Sequence, residues 1–295
     1  MRLEFHQKLI LLVAVLTIGT AVKIDFRGTG IEVYTPQKTL EPSEVAAKKP
    51  LDSRPTEPPP DLATRKQSFI EFVLPSIELE NEAIGRFREE LSRLRLKSVL
   101  SSEEHEWLRS LGGQYRIHAS LSDEARIEEL LTRVDRLPPS LVLAQAAIES
   151  AWGTSRFAQD GNNLFGQWCM TAGCGIVPLE RAATANHEVR KFDSVQDSVH
   201  GYFMNINTHL AYQPLRDLRS CQRVQGELLS GAMLAAGLLE YSAIGEVYVE
   251  AVRSVIRFNR LESLDHTGQT ADHLSISRCF QEDPQLDSAL VATGA

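Results

Sequence analysis

One glutamate lies in an apolar stretch of sequence with helical spacing. Between Leu141 and Trp152 the only polar side chains are Gln145, Glu149 and Ser150, in a stretch that reads LVLAQAAIESAW. A helix that is apolar nearly all round belongs in a protein core. A carboxylate in a core has to be paired, protonated or functional. The sequence therefore predicts either a buried ion pair or a catalytic acid at Glu149.

The residues around Glu149 on this helix favour a catalytic acid. By i+3 and i+4 spacing, Gln145, Glu149 and Trp152 share one face, which would place an amide and an indole beside the carboxyl group. We expect both Gln145 and Trp152 to bind substrate there. Burial of this kind raises a carboxyl pKa, and a general acid needs a raised pKa to hold its proton near neutral pH. We therefore expect Glu149 to protonate a leaving oxygen, as the glutamic acid of lysozyme does.

The segment that follows this helix reads GTSRFAQDGNNLFGQW and suits a sugar ligand. Asn162 and Asn163 offer donors and acceptors for hydroxyl and acetamido groups, and Trp168 offers a flat face for a sugar ring. The structural alternative is that the two asparagines form turns. We expect Asn162 and Asn163 both to bind the sugar and to form turns, while Phe165 fills the core.

Helical periodicity accounts for most of the remaining sequence. Apolar residues recur at helical spacing from Ala63, again from Asn81, and in later stretches as far as Phe258. The stretch from Cys169 to Phe192 is the exception, because its glycines and β-compatible pairs are typical of a small hairpin. We therefore predict a mainly α (α+β) fold, in which a helical domain carries a small β-hairpin lobe.

Proline content marks the start of the folded domain. Seven of the 13 prolines fall between residues 25 and 62, where they alternate with Lys, Glu and Ser. Such a segment cannot form regular core elements and is typical of a flexible linker. We place the folded domain at residues 63–262 and an irregular tail at 263–295.

The N-terminal residues 1–24 indicate export. Arg2 and Lys8 precede an apolar run from Leu9 to Val22, which is shorter than the ~20 residues of a bilayer-spanning helix. This pattern predicts a signal peptide or, because no clean cleavage site follows, an uncleaved inner-membrane anchor. A buried N-terminal helix is the third alternative. Either export hypothesis places the folded domain in the periplasm.

The four cysteines and the net charge bound the remaining chemistry. A bridge between Cys169 and Cys174 would close a Gly-rich turn, and Cys221 with Cys279 would form a second disulfide. The spacing CMTAGC does not match a metal site, so we expect no metal. The net charge of −8, without a long basic run, argues against nucleic acid as a partner.

Two motifs make the chain resemble a known family. The stretch LPPSLVLAQAAIESAWGTSRFA followed by NNLFGQW resembles the glucosaminidase domain of flagellar muramidases and autolysins. The stretches HEVRKFDSV and LLEYSAIGEVYVEAV resemble the Bax family of Gram-negative bacteria. The resemblance covers roughly residues 66–261. It implies a lysozyme-like fold with a cleft, and cleavage of the β-1,4 bond from N-acetylglucosamine to N-acetylmuramic acid in peptidoglycan.

The resemblance also implies roles for single residues. Glu149 matches the catalytic glutamate of the family. A second acid on the β-lobe would be Glu188 or, as the autolysin pattern suggests, Glu180. Alternatively, the acetamido group of the substrate replaces this second acid. Tyr212 matches a tyrosine that would orient the acetamido group or line the cleft, and its structural alternative is packing at a helix end.

Two other functions remain open on the sequence. A lytic transglycosylase shares the fold and a Glu-Ser pair, although the NNLFG segment argues against it. A non-catalytic protein that binds peptidoglycan strands or acts as a scaffold would keep the fold without the chemistry. We expect no cofactor, since proton transfer and charge stabilisation suffice for glycoside hydrolysis.

Overall fold

The computed structural model describes residues 61–179, 181 and 185–265. The helices in this part of the chain are α1 (Leu62–Arg95), α2 (Ser102–Gln114), α3 (Asp123–Arg133), α4 (Pro139–Ser150), α5 (Arg156–Gly161), α6 (Val195–Thr208), α7 (Gln213–Val224), α8 (Gly231–Leu234) and α9 (Glu246–Phe258). The strands are β1 (Trp168–Cys169), β2 (Gly175–Ile176) and β3 (Glu188–Arg190). Short 3₁₀ helices follow α6, α8 and α9, at Leu210–Tyr212, Ala235–Tyr241 and Leu261–Leu264.

The architecture confirms the predicted mainly α fold with a small β-lobe. The predicted hairpin is a three-stranded antiparallel sheet in the order β1-β3-β2. Val189 of the central strand pairs with Trp168 on one side and with Ile176 on the other. Strand β3 therefore joins β1 to β2.

Helix α1 joins two stretches of predicted helix into one element of 34 residues. Asp61 caps its start by accepting a hydrogen bond from the backbone N–H of Thr64 at 2.9 Å. Pro75 lies inside the helix, where it removes one backbone donor. The fully buried Val73 and Ile77 flank this position, so core packing holds the helix together across the proline.

Helix α4 carries Glu149 through the centre of the domain. Every residue from Pro139 to Ala147 is buried, as the apolar sequence predicts. The helix packs against α1, α8, α9 and the 3₁₀ helix Leu261–Leu264. Asp265 holds its start, since its carboxylate accepts hydrogen bonds from the backbone N–H of Ser140 at 2.9 Å and from the Ser140 hydroxyl at 2.7 Å. The orientation of α4 is therefore fixed at the end opposite Glu149.

Several predicted segments lie outside the described residues. These are the signal peptide or anchor at 1–24, nearly all of the linker at 25–62, and the tail beyond residue 265. Among residues 61–179, 181 and 185–265, no helix combines the length and the apolar character that crossing a membrane requires.

A buried ion cluster lies just before α4. The Asp135 carboxylate contacts Arg223 at 2.9 Å, Arg88 at 3.6 Å and Arg219 at 3.8 Å, and all four side chains are nearly inaccessible to solvent. Burial alone would raise the pKa of Asp135, but the three guanidinium groups outweigh burial and hold that pKa well below its usual range. The cluster joins α1 and α7 to the segment that leads into α4.

Removal of this buried charge should destabilise the domain strongly. We expect Asp135→Asn to lower the free energy of unfolding by about 3–5 kcal/mol, because it leaves three buried guanidinium groups without their counter-ion. Urea unfolding followed by circular dichroism measures the change. Glu82→Gln is the matched control, since it breaks an exposed pair with Arg86 and should cost less than about 1 kcal/mol. Equal, small losses in the two variants would contradict a structural role for the cluster.

Candidate active site

Glu149 is the penultimate residue of α4, where the buried helix reaches the surface of the core. Its side chain is partly buried. The hydroxyl of Tyr248, from the first turn of α9, donates a hydrogen bond to Glu149 Oε1 at 2.7 Å. Within the described residues, the partner of this carboxyl group is therefore a neutral phenol and not the buried arginine that an ion pair would require.

The helix ends directly after Glu149 in an unusual turn. Ala151, Trp152 and Gly153 all have left-handed backbone conformations, with φ of 50°, 59° and 76°. The Ser150 hydroxyl holds the turn, since it donates to the Ala146 carbonyl and accepts from the Gly153 N–H. Left-handed non-glycine residues cost conformational energy and cluster at functional sites. The sharp stop leaves Glu149 at the very end of a rigid helix.

The prediction that Trp152 continues the helical face of Glu149 is wrong, because the helix stops at Ser150. The Trp152 ring packs edge-on against Phe69 of α1, with ring centroids 5.7 Å apart. The Lys66 Nζ lies 4.8 Å from the ring centroid. These contacts attach the turn to α1. The aromatic side chain that is hydrogen-bonded to Glu149 is therefore Tyr248, and not the predicted Trp152.

Four of the six tyrosines of the chain surround Glu149. The ring of Tyr241 stacks on Tyr248 with centroids 5.2 Å apart, and Tyr212 lies 5.9 Å from Tyr241. Burial is the main cause of a raised pKa in each of these tyrosines, and the charge of the nearby Glu149 adds to it: Tyr202, Tyr212, Tyr241 and Tyr248. We call this set the tyrosine cluster.

Sequence reasoning identified only part of the tyrosine cluster. Of the four residues, it selected Tyr212 alone. Tyr241 and Tyr248 stand in the motif LLEYSAIGEVYVEAV, and their helical elements meet only in three dimensions. One signal in the sequence could have found them. The chain has only six tyrosines, and several of them fall in the segments that resemble the family.

The electrostatic balance at Glu149 favours a neutral carboxyl group. Burial raises the pKa of Glu149 to about 7, and the hydrogen bond from Tyr248 lowers it by a smaller amount. The group is therefore protonated in a large fraction of molecules near neutral pH. A carboxyl group of this pKa can protonate a leaving oxygen, which is the task of a general acid.

Gln145 is fully buried, one turn before Glu149. Its amide donates to the Tyr248 hydroxyl at 3.1 Å and accepts from the Tyr202 hydroxyl at 2.5 Å. Both polar ends therefore contact tyrosines of the cluster. This geometry opposes the prediction that Gln145 binds substrate, because the amide lies below the surface that a sugar would reach.

The asparagine pair shapes the turn beside Glu149. Asn163 accepts hydrogen bonds from the backbone N–H groups of Phe165 and Gln167 and donates to the carbonyls of Gln167 and Arg190. These four bonds use the full capacity of a primary amide. In this geometry Asn163 forms the turn, and no polar group of its side chain remains to bind a sugar.

Asn162 ends α5 in a left-handed conformation with φ of 51°. Its amide nitrogen donates to the carbonyls of Phe192 and Asp193, which follow β3. The turn that these asparagines hold brings Gly166, with φ of 67°, next to Glu149. A Cβ atom at Gly166 would lie 3.9 Å from Glu149 Oε2, so the second carboxyl oxygen faces this exposed glycine.

The β-lobe is held by a disulfide and by a carboxylate. Cys169 and Cys174 form the predicted local bridge. The Glu188 carboxylate accepts hydrogen bonds from the backbone N–H groups of Gly173 at 3.0 Å and Gly175 at 2.8 Å. These two bonds lower the pKa of Glu188. Glu188 therefore stays ionised and occupied by the loop that the disulfide closes.

The other predicted residues of this lobe have different outcomes. Trp168 stacks on His187 with ring centroids 4.2 Å apart and remains 36% exposed. Glu180, the alternative second acid, lies outside the described residues. Cys221 is buried in α7, and its predicted partner Cys279 also lies outside the described residues.

The described residues include one cluster with metal-ligand chemistry. Cys169, Cys174 and Glu188 place sulfur and carboxylate atoms within 4.8 Å of one another. The two sulfurs share a disulfide bond, so neither is the thiolate that a metal ion needs. This set therefore does not fit a cation.

Comparison with known proteins agrees with this geometry. The family model named Glucosaminidase, described as mannosyl-glycoprotein endo-beta-N-acetylglucosaminidase, matches residues 125–261. Protein Bax of Escherichia coli (strain K12) is 34% identical over 191 residues, which are 64% of this chain and 68% of that protein. No solved structure shows significant similarity.

These matches define the protein class and then the family. The matched segment runs from α3 to the 3₁₀ helix Leu261–Leu264 and contains both Glu149 and the tyrosine cluster, which makes this a domain of the glucosaminidase class. The more extensive similarity is to Bax. The chain belongs to the Bax family of glucosaminidase-domain proteins, which confirms the resemblance found in the sequence.

The raised pKa of Glu149 should appear in the stability of the protein. The pKa is about 7 in the folded state against an ordinary value of 4.5, so the folded state binds more protons and stability falls as pH rises between these values. From pH 5 to 8 we expect the wild type to lose about 2 to 3 kcal/mol that Glu149→Gln retains. Urea unfolding at several pH values measures this difference.

The exposed Glu71 provides the control for this measurement. Glu71→Gln should follow the wild-type dependence of stability on pH. If the curves of Glu149→Gln and the wild type are parallel, the carboxyl group of Glu149 titrates as an ordinary exposed acid, and the burial argument is wrong.

Proposed function

We propose that this protein hydrolyses peptidoglycan as an endo-β-N-acetylglucosaminidase, with Glu149 as the general acid. The observation that carries the proposal is the carboxyl group itself: it ends a buried helix, it is held by Tyr248 at 2.7 Å, and its pKa is about 7. Membership of a glucosaminidase family supports the reaction class. The bond cleaved would be the β-1,4 linkage from N-acetylglucosamine to N-acetylmuramic acid.

In this reaction Glu149 gives its proton to the glycosidic oxygen as the bond breaks. An oxocarbenium-like transition state forms, and water completes the hydrolysis. The phenol of Tyr248 donates to Oε1 both before and after proton transfer, which orients the carboxyl group and stabilises the carboxylate that forms. The Phe165–Gly166 turn lies beside Oε2 of Glu149 and forms one side of the proposed active site.

The second functional group is a separate question. We propose that Glu188 is structural, because both its oxygens already bind Gly173 and Gly175. An inverting mechanism would then rely on Glu180 at roughly 6.5–9.5 Å from Glu149. A substrate-assisted mechanism would use the acetamido group of the sugar instead, and we propose that Tyr212, whose ring lies 5.9 Å from that of Tyr241 in the tyrosine cluster, orients it.

Trp168 is the side chain of the β-lobe that suits sugar binding. Its ring is partly exposed and rests on His187. Each member of this stacked pair precedes an anchored residue, since Cys169 forms the disulfide and Glu188 binds the loop. We propose that the exposed ring of Trp168, supported by His187, stacks against a sugar of the glycan strand. Action on peptidoglycan also requires the exported location that the N-terminal sequence predicts.

Glu149→Gln should slow the reaction strongly. We expect the variant to lose about 10²–10⁴-fold in rate on purified sacculi, because the amide cannot donate the proton. Mass spectrometry should find reducing-end N-acetylglucosamine in wild-type digests. Glu71→Gln, on the exposed face of α1, should keep wild-type activity. A 1,6-anhydromuramic product would instead show a lytic transglycosylase. An inactive wild type that binds sacculi would show a binding or scaffold protein.

The pH dependence of the rate supplies a second test. A general acid must be protonated, so kcat should fall as pH rises through the pKa of Glu149, about 7. Initial rates of dye release from labelled sacculi between pH 5 and 9 measure this profile. A rate that stays constant across this range would contradict the assignment of Glu149 as the acid.

A further inference from the structure

A line of three buried hydrogen bonds ends at Glu149. The Tyr202 hydroxyl donates to Gln145 Oε1 at 2.5 Å, Gln145 Nε2 donates to the Tyr248 hydroxyl at 3.1 Å, and Tyr248 donates to Glu149 Oε1 at 2.7 Å. Tyr202, Gln145 and Tyr248 have less than about 2% of their surface exposed. Every bond in the line donates towards the carboxyl group.

We propose that Gln145 and Tyr202 are positioning residues, which act through Tyr248 to place the acid proton of Glu149 on Oε2. This inference rests on the proposed role of Glu149 as the acid. It extends that role, because it names the residues that decide which carboxyl oxygen carries the proton.

The amide of Gln145 has two orientations with opposite consequences. With its NH₂ group towards Tyr248, the phenol oxygen accepts, and the phenol O–H must donate to Glu149 Oε1. With its carbonyl towards Tyr248, the phenol O–H donates to Gln145 instead. A protonated Glu149 would then donate from Oε1 to the phenol oxygen, and the acid proton would point into the core.

Tyr202 selects between these orientations. Its ring stacks on Phe165 with centroids 4.2 Å apart, inside the core. Among the described residues, the amide of Gln145 is the hydrogen-bond partner of its hydroxyl. If the NH₂ group of Gln145 faced Tyr202, the buried phenol proton would lack an acceptor. An unsatisfied buried donor reduces the population of such a state about tenfold or more.

The two oxygens of Glu149 face different surroundings. Oε1 is bound to the buried Tyr248. Oε2 lies beside Gly166, where a Cβ atom would be 3.9 Å away, and Gly166 is exposed. A proton on Oε2 is therefore on the side that a substrate can reach, whereas a proton on Oε1 is not.

The experiment measures the titration of Glu149 in the full chain, without relying on hydrolysis. Carbon-13 NMR of the glutamate carboxyl groups, with Glu149 assigned from Glu149→Gln, follows its pKa. Tyr202→Phe keeps the ring and removes the hydroxyl, so the amide of Gln145 can turn and the donation from Tyr248 to the carboxylate weakens. We expect the pKa of Glu149 to rise by about half a unit or more, with kcat reduced about tenfold at constant KM.

Tyr115→Phe is the matched control, because Tyr115 is equally buried but its electrostatic partners are Glu80 and Arg219. It should leave the titration of Glu149 and kcat unchanged. Gln145→Met should raise the pKa of Glu149 by itself. In the Gln145→Met background, Tyr202→Phe should add no further shift, because Tyr202 acts through the amide.

The outcomes separate the two proposals. An unchanged Glu149 titration in Tyr202→Phe, or in Gln145→Met if the first variant does not fold, overturns the positioning role. Additive shifts in the double variant also overturn it, because they would mean that Tyr202 acts without Gln145. The NMR result stands whether or not the wild type cleaves peptidoglycan, so a failure of the proposed function is recognised by the product assay alone.

Discussion

The hydrogen bond from Tyr248 to Glu149 is the contact on which the site depends. Its two residues are 99 positions apart in sequence, so the fold must bring α4 and α9 together before the site exists. α4 therefore has to be buried along almost its whole length, fixed at its start by Asp265 and stopped sharply after Ser150. The 3₁₀ helix Ala235–Tyr241 packs against α9, and its Tyr241 stacks on Tyr248 beside the acid.

Three acids in this domain show how surroundings decide the charge of a carboxyl group. Asp135 is the most deeply buried, yet three arginines keep it ionised. Glu188 is kept ionised by two backbone N–H groups. In the described part of the chain, the hydrogen-bond partner of Glu149 is a phenol, so burial dominates and the pKa of Glu149 rises. The first two acids hold the structure, and the third is the one poised to release a proton near neutral pH.

The sequence was sufficient for the parts of the structure that depend on local pattern. The apolar run around Glu149 predicts a buried helix, and the spacing CMTAGC predicts a local disulfide. Helical spacing failed at Trp152, because the chain is left-handed from Ala151 onward and the Trp152 ring packs against Phe69 of α1, a long-range contact that local spacing does not reveal. The asparagine pair looked suited to sugars, because type and position do not reveal that the backbone already uses all four bonds of Asn163.

The tyrosine cluster around Glu149 was the least predictable feature. Tyr202, Tyr241 and Tyr248 come from three elements whose contacts are long-range. Their sequence context predicts helices and core positions, and nothing in that context gives the direction of a hydroxyl group. The pattern of charged residues does not identify the partner of Glu149 either, because that partner, the phenol of Tyr248, is neutral. Three-dimensional geometry was needed to find that the acid is bound by the phenol of Tyr248 and that further tyrosines pack around this pair.

Neutron diffraction from a deuterated crystal at about pH 6 tests the central claim most directly, because it locates the protons on Glu149 and Tyr248. We predict a deuteron on Glu149 Oε2, beside Gly166, and a Tyr248 deuteron directed at Oε1. A carboxylate without a deuteron, or a deuteron on Oε1 directed at Tyr248, would contradict the role of Glu149 as a general acid held ready for its substrate.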